Sequence, residues 1–303
     1  MVDLPTLRGV PLTKGHGTEN DFVLLADPGA ALELDSATVT AVCDRHAGIG
    51  ADGLIRAVRS TALGDVAGAA EAVAQGAEWF MDYRNADGSL AEMCGNGIRV
   101  FLAYLEATGL RTTAEDEPVA IGTRGGVRTV WRTGDRYTVD MGPWQVPGGP
   151  DAVARGFDVA VQVAGLEGTR AGLRVAMPNP HTVVALPDLE ELAAADLGPL
   201  VETDPVAAHG TNVELAVPLG DTTVDGEPAG VVRMRVQERG VGETRSCGTG
   251  TCAVAVALHA WGGAQAPRLW QVHVPGGEVL VRLEEGRALL TGPAELVADI
   301  TLR

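Results

Sequence analysis

Two long apolar stretches stand out in the hydrophobic pattern of the chain, and each follows the same short motif. The first begins after Cys94–Gly97 (C-G-N-G) and stops at Gly109. The second begins after Cys247–Gly250 (C-G-T-G) and stops at Gly262–Gly263. Both are apolar over roughly three to four helical turns, which predicts two buried helices that end at glycine.

The flanking segments alternate short apolar runs with turn residues, which predicts strands on both sides of each helix. Residues 117–141, for example, are broken by Gly125–Gly126 and Gly134–Asp135, the pattern of a meander. Cys94 and Cys247 lie 153 residues apart, half of the chain. The sequence therefore predicts an α+β fold made by internal duplication, with strands, a central helix and more strands in each half.

Three other segments have local signals of their own. Residues 8–27 predict strand, loop and strand, with the loop at Lys14–Phe22. Residues 60–76 are rich in alanine and glycine, which predicts a surface insertion or a frayed helix between two strands. Gly48–Gly53 predicts a tight turn and lacks the G-K-[ST] of a phosphate-binding loop.

Composition narrows the class of protein. The chain has 303 residues, of which 46% are hydrophobic and 21% charged, as in globular proteins with a sizeable core. Its net charge of −17 argues against nucleic acid and anionic membrane surfaces as partners. The first residues lack the pattern of a signal peptide, no apolar stretch reaches membrane-spanning length, and cysteines are sparse, so we expect a cytoplasmic protein with reduced thiols.

The four cysteines differ in their surroundings. Cys94 and Cys247 each precede a glycine-containing helix start, where the helix dipole favours a thiolate and lowers the thiol pKa. The same exposed N–H groups suit a carboxylate ligand. Cys43 and Cys252 lack such a motif and are expected to be core residues. No C-x-x-C pair or metal-binding cluster is evident, and the only lysine, Lys14, is the sole candidate for a Schiff base.

Polar residues cluster in sequence around these motifs. Asn20, Asn85 and Asn179 stand beside turn residues, and His181 directly follows Pro178-Asn179-Pro180 in a predicted turn, where histidine is ordinarily solvated. Glu238–Arg239 precedes the second motif. Amide side chains and glycine N–H groups together suit an amino acid, which carries both an ammonium and a carboxylate.

These motifs together resemble those of the diaminopimelate epimerase family, cofactor-independent amino-acid epimerases of bacterial lysine and peptidoglycan synthesis. The matching segments are Lys14–Phe22, Arg45–Asp52, Asn85–Ser89, Met93–Arg99, Asn179–His181, Gly210–Glu214, Glu238–Thr244 and Cys247–Gly250. The resemblance spans nearly the whole chain, and the paired cysteine motifs make it specific.

The resemblance implies two pseudo-symmetric halves, each a curved mixed sheet wrapped around a central helix, with the active site in the cleft between them. The N-terminal half would be residues 1–137, rejoined by a C-terminal strand at 289–303, and the C-terminal half residues 138–288. It also implies an enzyme without cofactor or metal that converts LL-2,6-diaminopimelate to the meso form.

The resemblance assigns roles to individual residues. Cys94 and Cys247 would be the acid/base pair, and His181 and Glu238 would tune the thiols. The positions that match substrate-binding residues are Asn20, Asn85, Gly95, Asn96, Asn179, Asn212, Glu238, Arg239, Gly248 and Thr249. Proton removal from one face of a carbon and delivery to the other requires two such groups.

Two positions depart from the family pattern. Gly53 stands where many relatives have a glutamine that contacts substrate, which removes one side-chain contact. Ala298 stands where a tyrosine supports the family's homodimer, so the resemblance implies a dimer that lacks this support.

Two alternatives remain open from sequence. A racemase of another amino acid would share these contacts at one end of the substrate. Proline and hydroxyproline enzymes typically carry histidine where Asn96 stands, whereas histidine and lysine racemases are not separated in this way. In a different class, Cys94 and Cys247 would form a regulatory disulfide in a binding protein, which leaves Asn20, His181 and Glu238 unexplained.

Overall fold

The computed structural model describes residues 5–302, which form two compact units. The N-terminal unit contains the described residues up to Val139 and those from Gly292 onward. The C-terminal unit is continuous, Asp140–Thr291. Within the described residues, no helix has the length and apolar character needed to cross a membrane.

The N-terminal unit is a mixed sheet with three α-helices. Its helices are α1 (Ser36–Cys43), α2 (Ala69–Ala74) and α3 (Gly95–Ala107). Its strands are β1 (Pro11–Gly17), β2 (Asn20–Ala26), β3 (Gly53–Arg59), β4 (Trp79–Asn85), β5 (Val119–Gly122), β6 (Arg128–Thr133), β7 (Arg136–Pro143, which ends past the unit boundary) and β18 (Glu295–Thr301). Their order is β18-β1-β2-β3-β4-β5-β6-β7, with the β2–β3 and β4–β5 pairs parallel.

The C-terminal unit repeats this arrangement. Its helices are α4 (Gly149–Arg155), α5 (Leu189–Ala194) and α6 (Gly248–Gly262). Its strands are β8 (Val159–Gln162), β9 (Arg170–Ala176), β10 (Pro180–Ala185), β11 (Glu202–Asp204), β12 (Asn212–Val224), β13 (Glu227–Glu238), β14 (Gly242–Thr244), β15 (Leu269–Val274), β16 (Gly277–Glu284) and β17 (Arg287–Gly292).

The pairing pattern matches strand for strand between the two units. In the order β9-β10-β12-β13-β15-β16-β17, the β10–β12 and β13–β15 pairs are parallel and the rest antiparallel. The series β1-β2-β3-β4-β5-β6-β7 has parallel pairs at the same two places. This common order confirms the predicted α+β fold and its two pseudo-symmetric halves.

The two central helices are buried, as the apolar pattern predicts. Every residue of α3 from Gly95 to Leu105 is buried, and α6 is buried from Gly248 to Leu258 except at Thr249. A helix that is apolar all round must pack inside the unit. Here α3 packs against strands β1–β4, β6 and β18 of its own sheet, and α6 against β9, β10, β12, β15 and β16.

The predicted loop at Lys14–Phe22 is wrong. β1 and β2 form a tight hairpin in which only Thr18 and Glu19 connect the strands, both at positive φ. The polar residues of this segment look like a loop in sequence because they form ion pairs instead of a hydrophobic face. Asp21 accepts from Lys14 and, through both oxygens, from Arg45.

These ion pairs connect the hairpin to the glycine-rich turn before β3. Arg45 also pairs with Asp52 at 2.7 Å, and Lys14 donates to the carbonyl of Gly50. Burial raises the pKa of Asp21, but the hydrogen bonds from Arg45 and Lys14 outweigh it and hold the pKa at about 2.

Residues 60–76 lie mostly at the surface and are partly helical, in agreement with the prediction. They contain a 3₁₀ turn at Ser60–Ala62 and helix α2, whose Ala69 and Ala72 are buried. Both alanines belong to an apolar cluster with Val58 and Phe80 of the sheet. Small side chains here allow the helix to pack closely, which a search for large apolar residues overlooks.

Gly53, at the start of β3, has no space for a side chain. A Cβ atom there would lie 2.4 Å from the Arg84 carbonyl oxygen and 2.5 Å from the Tyr83 ring. The ring of Tyr83 packs edge-on against Phe22 and covers this position. The packing of this sheet therefore requires glycine at residue 53.

We predict that Gly53→Ala destabilises the protein by about 1–3 kcal/mol, because overpacking forces backbone shifts. Urea unfolding measures the free energy. The control is Gly29→Ala, since a Cβ at this glycine would meet no atom within 4 Å and its backbone needs no positive φ. Equal stability of the two variants would contradict the packing described for Gly53.

A second prediction concerns acid stability. The folded pKa of Asp21 lies below the ordinary aspartate value of 3.8, so its ionised form stabilises the fold above about pH 4. This stabilisation is lost as the pH falls from 4 toward 2. Asp21→Asn should therefore cost about 2 kcal/mol at pH 7, and the difference from wild type should shrink below pH 4.

The measurement is urea unfolding of both proteins between pH 2 and pH 7. Asp65→Asn, at an exposed aspartate, is the control and should follow the wild-type pH dependence. A difference between wild type and Asp21→Asn that stays constant over this range would contradict the prediction.

Candidate active site

The first cysteine motif forms the N-terminus of α3. Cys94 is the N-cap residue, and its sulfur accepts a hydrogen bond from the N–H of Gly97 at 3.3 Å. The thiol also lies 3.5 Å from Asn20 Oδ1, to which it donates. The predicted position of Cys94 at a helix start is confirmed, and Asn20 lies directly beside it.

Hydrogen bonds fix the amide of Asn20 in one orientation. Its Nδ2 donates to Asp52 Oδ2 at 2.7 Å, so its oxygen faces Cys94. Asn96 Nδ2 donates to the same oxygen at 3.3 Å. Asp52 is in turn held by Arg45. Asn20, Cys94 and Asn96 therefore form one constellation with a charged support behind it.

Two further sequence-predicted residues of this unit, Gly95 and Asn85, differ in their relation to Cys94. Gly95 is buried in the first turn of α3, where its backbone is part of the helix start. Asn85 ends β4 and pairs in register with Gly53, but its Nδ2 donates to Ser89 Oγ in the following turn. The described contacts of Asn85 thus hold the turn and do not reach Cys94.

The second motif forms the N-terminus of α6 in the same way. Cys247 is the N-cap residue and is 6% exposed, and Thr249 Oγ1 lies 3.5 Å from its sulfur. Gly248 is buried in the first turn. Glu238, the last residue of β13, accepts hydrogen bonds from Thr244 and from Cys247.

The surroundings of Cys247 favour the thiol over the thiolate. Burial raises its pKa well above the ordinary value, and the charges of Glu238 and Glu214 raise it further. Thr249 and the N–H of Gly250 act in the opposite direction but are outweighed. The lowered pKa expected from the helix dipole is therefore wrong for Cys247. Burial also raises the pKa of Glu238.

His181 is buried in a strand, so its predicted place in a solvated turn is wrong. It is the second residue of β10 and 1% exposed. Its Nδ1 lies 2.6 Å from Glu214 Oε1 and its Nε2 2.9 Å from Asn179 Oδ1. The prolines that resemble a turn in sequence precede the strand and begin it, positions that proline tolerates.

Asn212 connects His181 to Arg239. Its Nδ2 lies 3.5 Å from His181 Nδ1, and its Oδ1 accepts from the backbone N–H of Arg239 at 2.8 Å. The guanidinium of Arg239 is exposed and donates to the His209 carbonyl. The structure thus brings Asn179, His181, Asn212 and Arg239 into one connected group.

Sequence reasoning missed two carboxylates, Asp52 and Glu214, as parts of these groups. Both lie inside matched motifs, Arg45–Asp52 and Gly210–Glu214. The available signal for Glu214 was its position two residues after Asn212, which in a strand places both side chains on one face.

The described residues outside these groups offer no competing site with this chemistry. No cluster of three or more histidine, cysteine or acidic side chains within residues 5–302 could hold a metal ion. A cavity of about 620 Å³ in the C-terminal unit is lined by Leu192, Arg233 and His273 among others, and none of the sequence-predicted site residues lines it.

Known structures with similar folds include several enzymes. A protein from Pseudomonas aeruginosa described as a predicted epimerase is 16% identical with a TM-score of 0.62, covering 97% of this chain and 99% of its own. A PhzF-family phenazine biosynthesis protein from Bacillus anthracis is 11% identical with a TM-score of 0.63, covering 96% and 98%. A hydroxyproline epimerase from Agrobacterium vitis is 14% identical with a TM-score of 0.61, covering 96% and 90%. These likenesses show the fold.

Sequence relatives are much closer. The diaminopimelate epimerase of Thermobifida fusca is 47% identical over 295 residues, which cover 96% of this chain and 97% of the relative. That of Streptomyces coelicolor is 45% identical over 300 residues, covering 96% and 94%. The family model described as diaminopimelate epimerase matches residues 12–147 and 174–297. The chain therefore belongs to the diaminopimelate epimerase family, and it is an isomerase.

Proposed function

We propose that this protein interconverts LL-2,6-diaminopimelate and meso-2,6-diaminopimelate, with Cys94 and Cys247 as the two acid/base groups. The observation that carries the assignment is the pair of matching helix starts, each with a thiol at the N-cap. Each thiol has polar partners from strand ends in its own unit, Asn20 for Cys94 and Glu238 for Cys247. Cys43 and Cys252 do not stand at a helix start, since Cys43 is the last residue of α1 and Cys252 lies inside α6, and both are buried.

In the proposed reaction one thiolate removes the α-proton and the other thiol protonates the opposite face. The Cα–H bond breaks, its proton moves to sulfur, and its electron pair is delocalised into the substrate carboxylate. The second S–H bond then breaks as its proton moves to Cα, which inverts the centre. One sulfur has gained a proton and the other has lost one, so the roles are exchanged for the reverse reaction.

The two thiols start from different states in this proposal. Burial and the nearby carboxylates raise the pKa of Cys247, so it rests as the thiol and acts first as the proton donor. Cys94 acts first as the base once the proton that its thiol donates to Asn20 Oδ1 has left, since the N–H of Gly97 still donates to the sulfur.

The α-carbanion is the costly species, and helix termini are suited to stabilise it. The N–H groups after Cys94 and Cys247 lack intrahelical partners and lie at the positive ends of α3 and α6. Glycines at 95 and 248 let a carboxylate approach these groups. We assign Asn20, Asn85, Asn96, Asn179, Asn212, Glu238, Arg239 and Thr249 to the remaining substrate contacts.

The proposed reaction uses no pyridoxal phosphate. Lys14, the only lysine, is paired with Asp21 and donates to the Gly50 carbonyl, so its amine is committed to the fold. The mechanism requires both sulfurs in reduced form. We therefore propose a compartment that keeps thiols reduced, the cytoplasm.

We also propose that the chain forms a homodimer through β18. This strand pairs with β1 on one side, and no described strand pairs with its other edge. Val297 is 61% exposed on it, next to Ala298. An open strand edge with an exposed apolar side chain is a surface on which a second copy can pair. Sedimentation equilibrium of the purified protein tests this assignment.

Incubation of the reduced protein in D₂O with EDTA tests the function. We expect deuterium at Cα of diaminopimelate, entering the newly formed isomer before the starting one, because a different sulfur supplies the proton. Mass spectrometry and NMR measure this. Lysine, histidine and proline should exchange far more slowly. Faster exchange of lysine or histidine would show that this amino acid, and not diaminopimelate, is the substrate. No exchange with any of them would refute the enzyme assignment.

Single variants test the two thiols. Cys94→Ala and Cys247→Ala should each lower the epimerisation rate by at least about 100-fold, the usual contribution of a positioned acid or base. Cys43→Ala and Cys252→Ala remove buried thiols outside the site and serve as matched controls. They should keep near wild-type activity per folded molecule, with folding checked by circular dichroism. A loss of activity in these controls would show that the catalytic thiols are misassigned.

A further inference from the structure

A buried carboxylate behind His181 has no role in the reaction so far. Glu214 lies on β12 and has no exposed surface. In the parallel pairing of β10 with β12, His181 stands opposite Asn212 and Val183 opposite Glu214. His181, Asn212 and Glu214 therefore project from the same face of the sheet, and Glu214 Oε1 lies 2.6 Å from His181 Nδ1.

This distance decides which ring nitrogen carries a proton. An ionised carboxylate only accepts hydrogen bonds, so beside an ionised Glu214 the neighbouring Nδ1 must donate. The competing neighbour of Nδ1 is Asn212 Nδ2, a donor at 3.5 Å that would require a bare Nδ1. The contact to Glu214 is shorter by 0.9 Å and lies in the range of charge-assisted hydrogen bonds. It therefore sets the tautomer.

We propose that Glu214 is a positioning residue that keeps a proton on His181 Nδ1, so that the ring is held with Nε2 facing Asn179. This inference rests on the proposed function for its effect on catalysis. Carboxylates that orient a histidine in this way fix both its tautomer and its ring direction.

The partner on the other side of the ring links this proton to a substrate contact. Nε2 lies 2.9 Å from Asn179 Oδ1, which suits a protonated Nε2. A tautomer with a bare Nε2 would require the amide of Asn179 to turn and present its N–H instead. The tautomer of His181 is thereby linked to the orientation of Asn179.

Glu214 also lies against the helix start that carries Cys247. A Cβ atom on Gly250 would be 2.9 Å from Glu214 Oε1, so glycine at this position leaves room for the carboxylate. Glu214 Oε2 is buried and has no hydrogen-bond partner among residues 5–302. The other titratable groups that interact with Glu214 are His181, Glu238 and Cys247. The charges of Glu214 and Glu238 both raise the pKa of Cys247.

The test combines ¹⁵N NMR of the histidine rings with kinetics on the full-length protein. His181→Asn identifies the resonances of this ring among the six histidines. In the wild type we expect Nδ1 to keep the shift of a protonated nitrogen from pH 6 to pH 9. A bare Nδ1 in the wild type would overturn the proposal without any variant.

Glu214→Gln is the matched substitution, since it keeps the shape and removes the charge. We expect a mixture of ring tautomers, a kcat for diaminopimelate lower by about 10- to 100-fold and a smaller change in KM. Glu214→Asp, which keeps the charge, should retain the Nδ1 proton and part of the activity. Glu202→Gln, on an exposed residue of the same unit, should match wild type in spectrum and rate.

An unchanged tautomer and rate in Glu214→Gln would overturn the proposal. Failure of the proposed function gives a different result. In that case the wild type itself shows no exchange with diaminopimelate, while the NMR spectra still report whether Glu214 sets the tautomer of His181.

Discussion

Both candidate catalytic thiols stand at the start of a helix that the protein buries on all sides, and this burial constrains the rest of each unit. The first N–H groups of a helix have no partner within it, and water is largely excluded from a buried helix end. The sulfur of Cys94 satisfies one of these groups at Gly97. The remainder require either polar side chains from strand ends or a bound anion. The glycine after each cysteine has no side chain, which keeps these N–H groups accessible to such partners.

The duplicated fold supplies these strand ends at equivalent places but with different chemistry. Asn20 is the first residue of β2 in one unit, and His181 is the second residue of the equivalent strand, β10, in the other. Cys94 therefore has amides around it. The carboxylates behind these amides, Asp21 and Asp52, form ion pairs with Lys14 and Arg45. The surroundings of Cys247 contain buried carboxylates instead. The proposed acid/base pair requires one proton donor and one proton acceptor, and the chemical difference between the two thiol surroundings is consistent with this proposal.

The sequence predicts some levels of this structure well and others poorly. The two helices follow from nearly continuous apolar runs bounded by glycine, and their burial is confirmed. The hairpin at Lys14–Phe22 was not predicted, because its polar residues form ion pairs and leave no alternating apolar pattern in the sequence. The burial of His181 was missed for a related reason, since the two preceding prolines suggest a turn and its partner Glu214 is 33 residues away in sequence. Contacts of this kind become visible only when the strand register is known.

The return of the last strand to the first unit has a consequence for synthesis. Thr13 on β1 and Asp299 on β18 form a hydrogen bond across 286 residues of chain. The C-terminal unit, by contrast, is one continuous segment. During translation the second unit can fold as soon as it leaves the ribosome, whereas the sheet of the first unit is incomplete until β18 emerges. One edge of β1 stays open through most of this time, which makes this strand the place where a nascent chain is most exposed to mispairing and to chaperone binding.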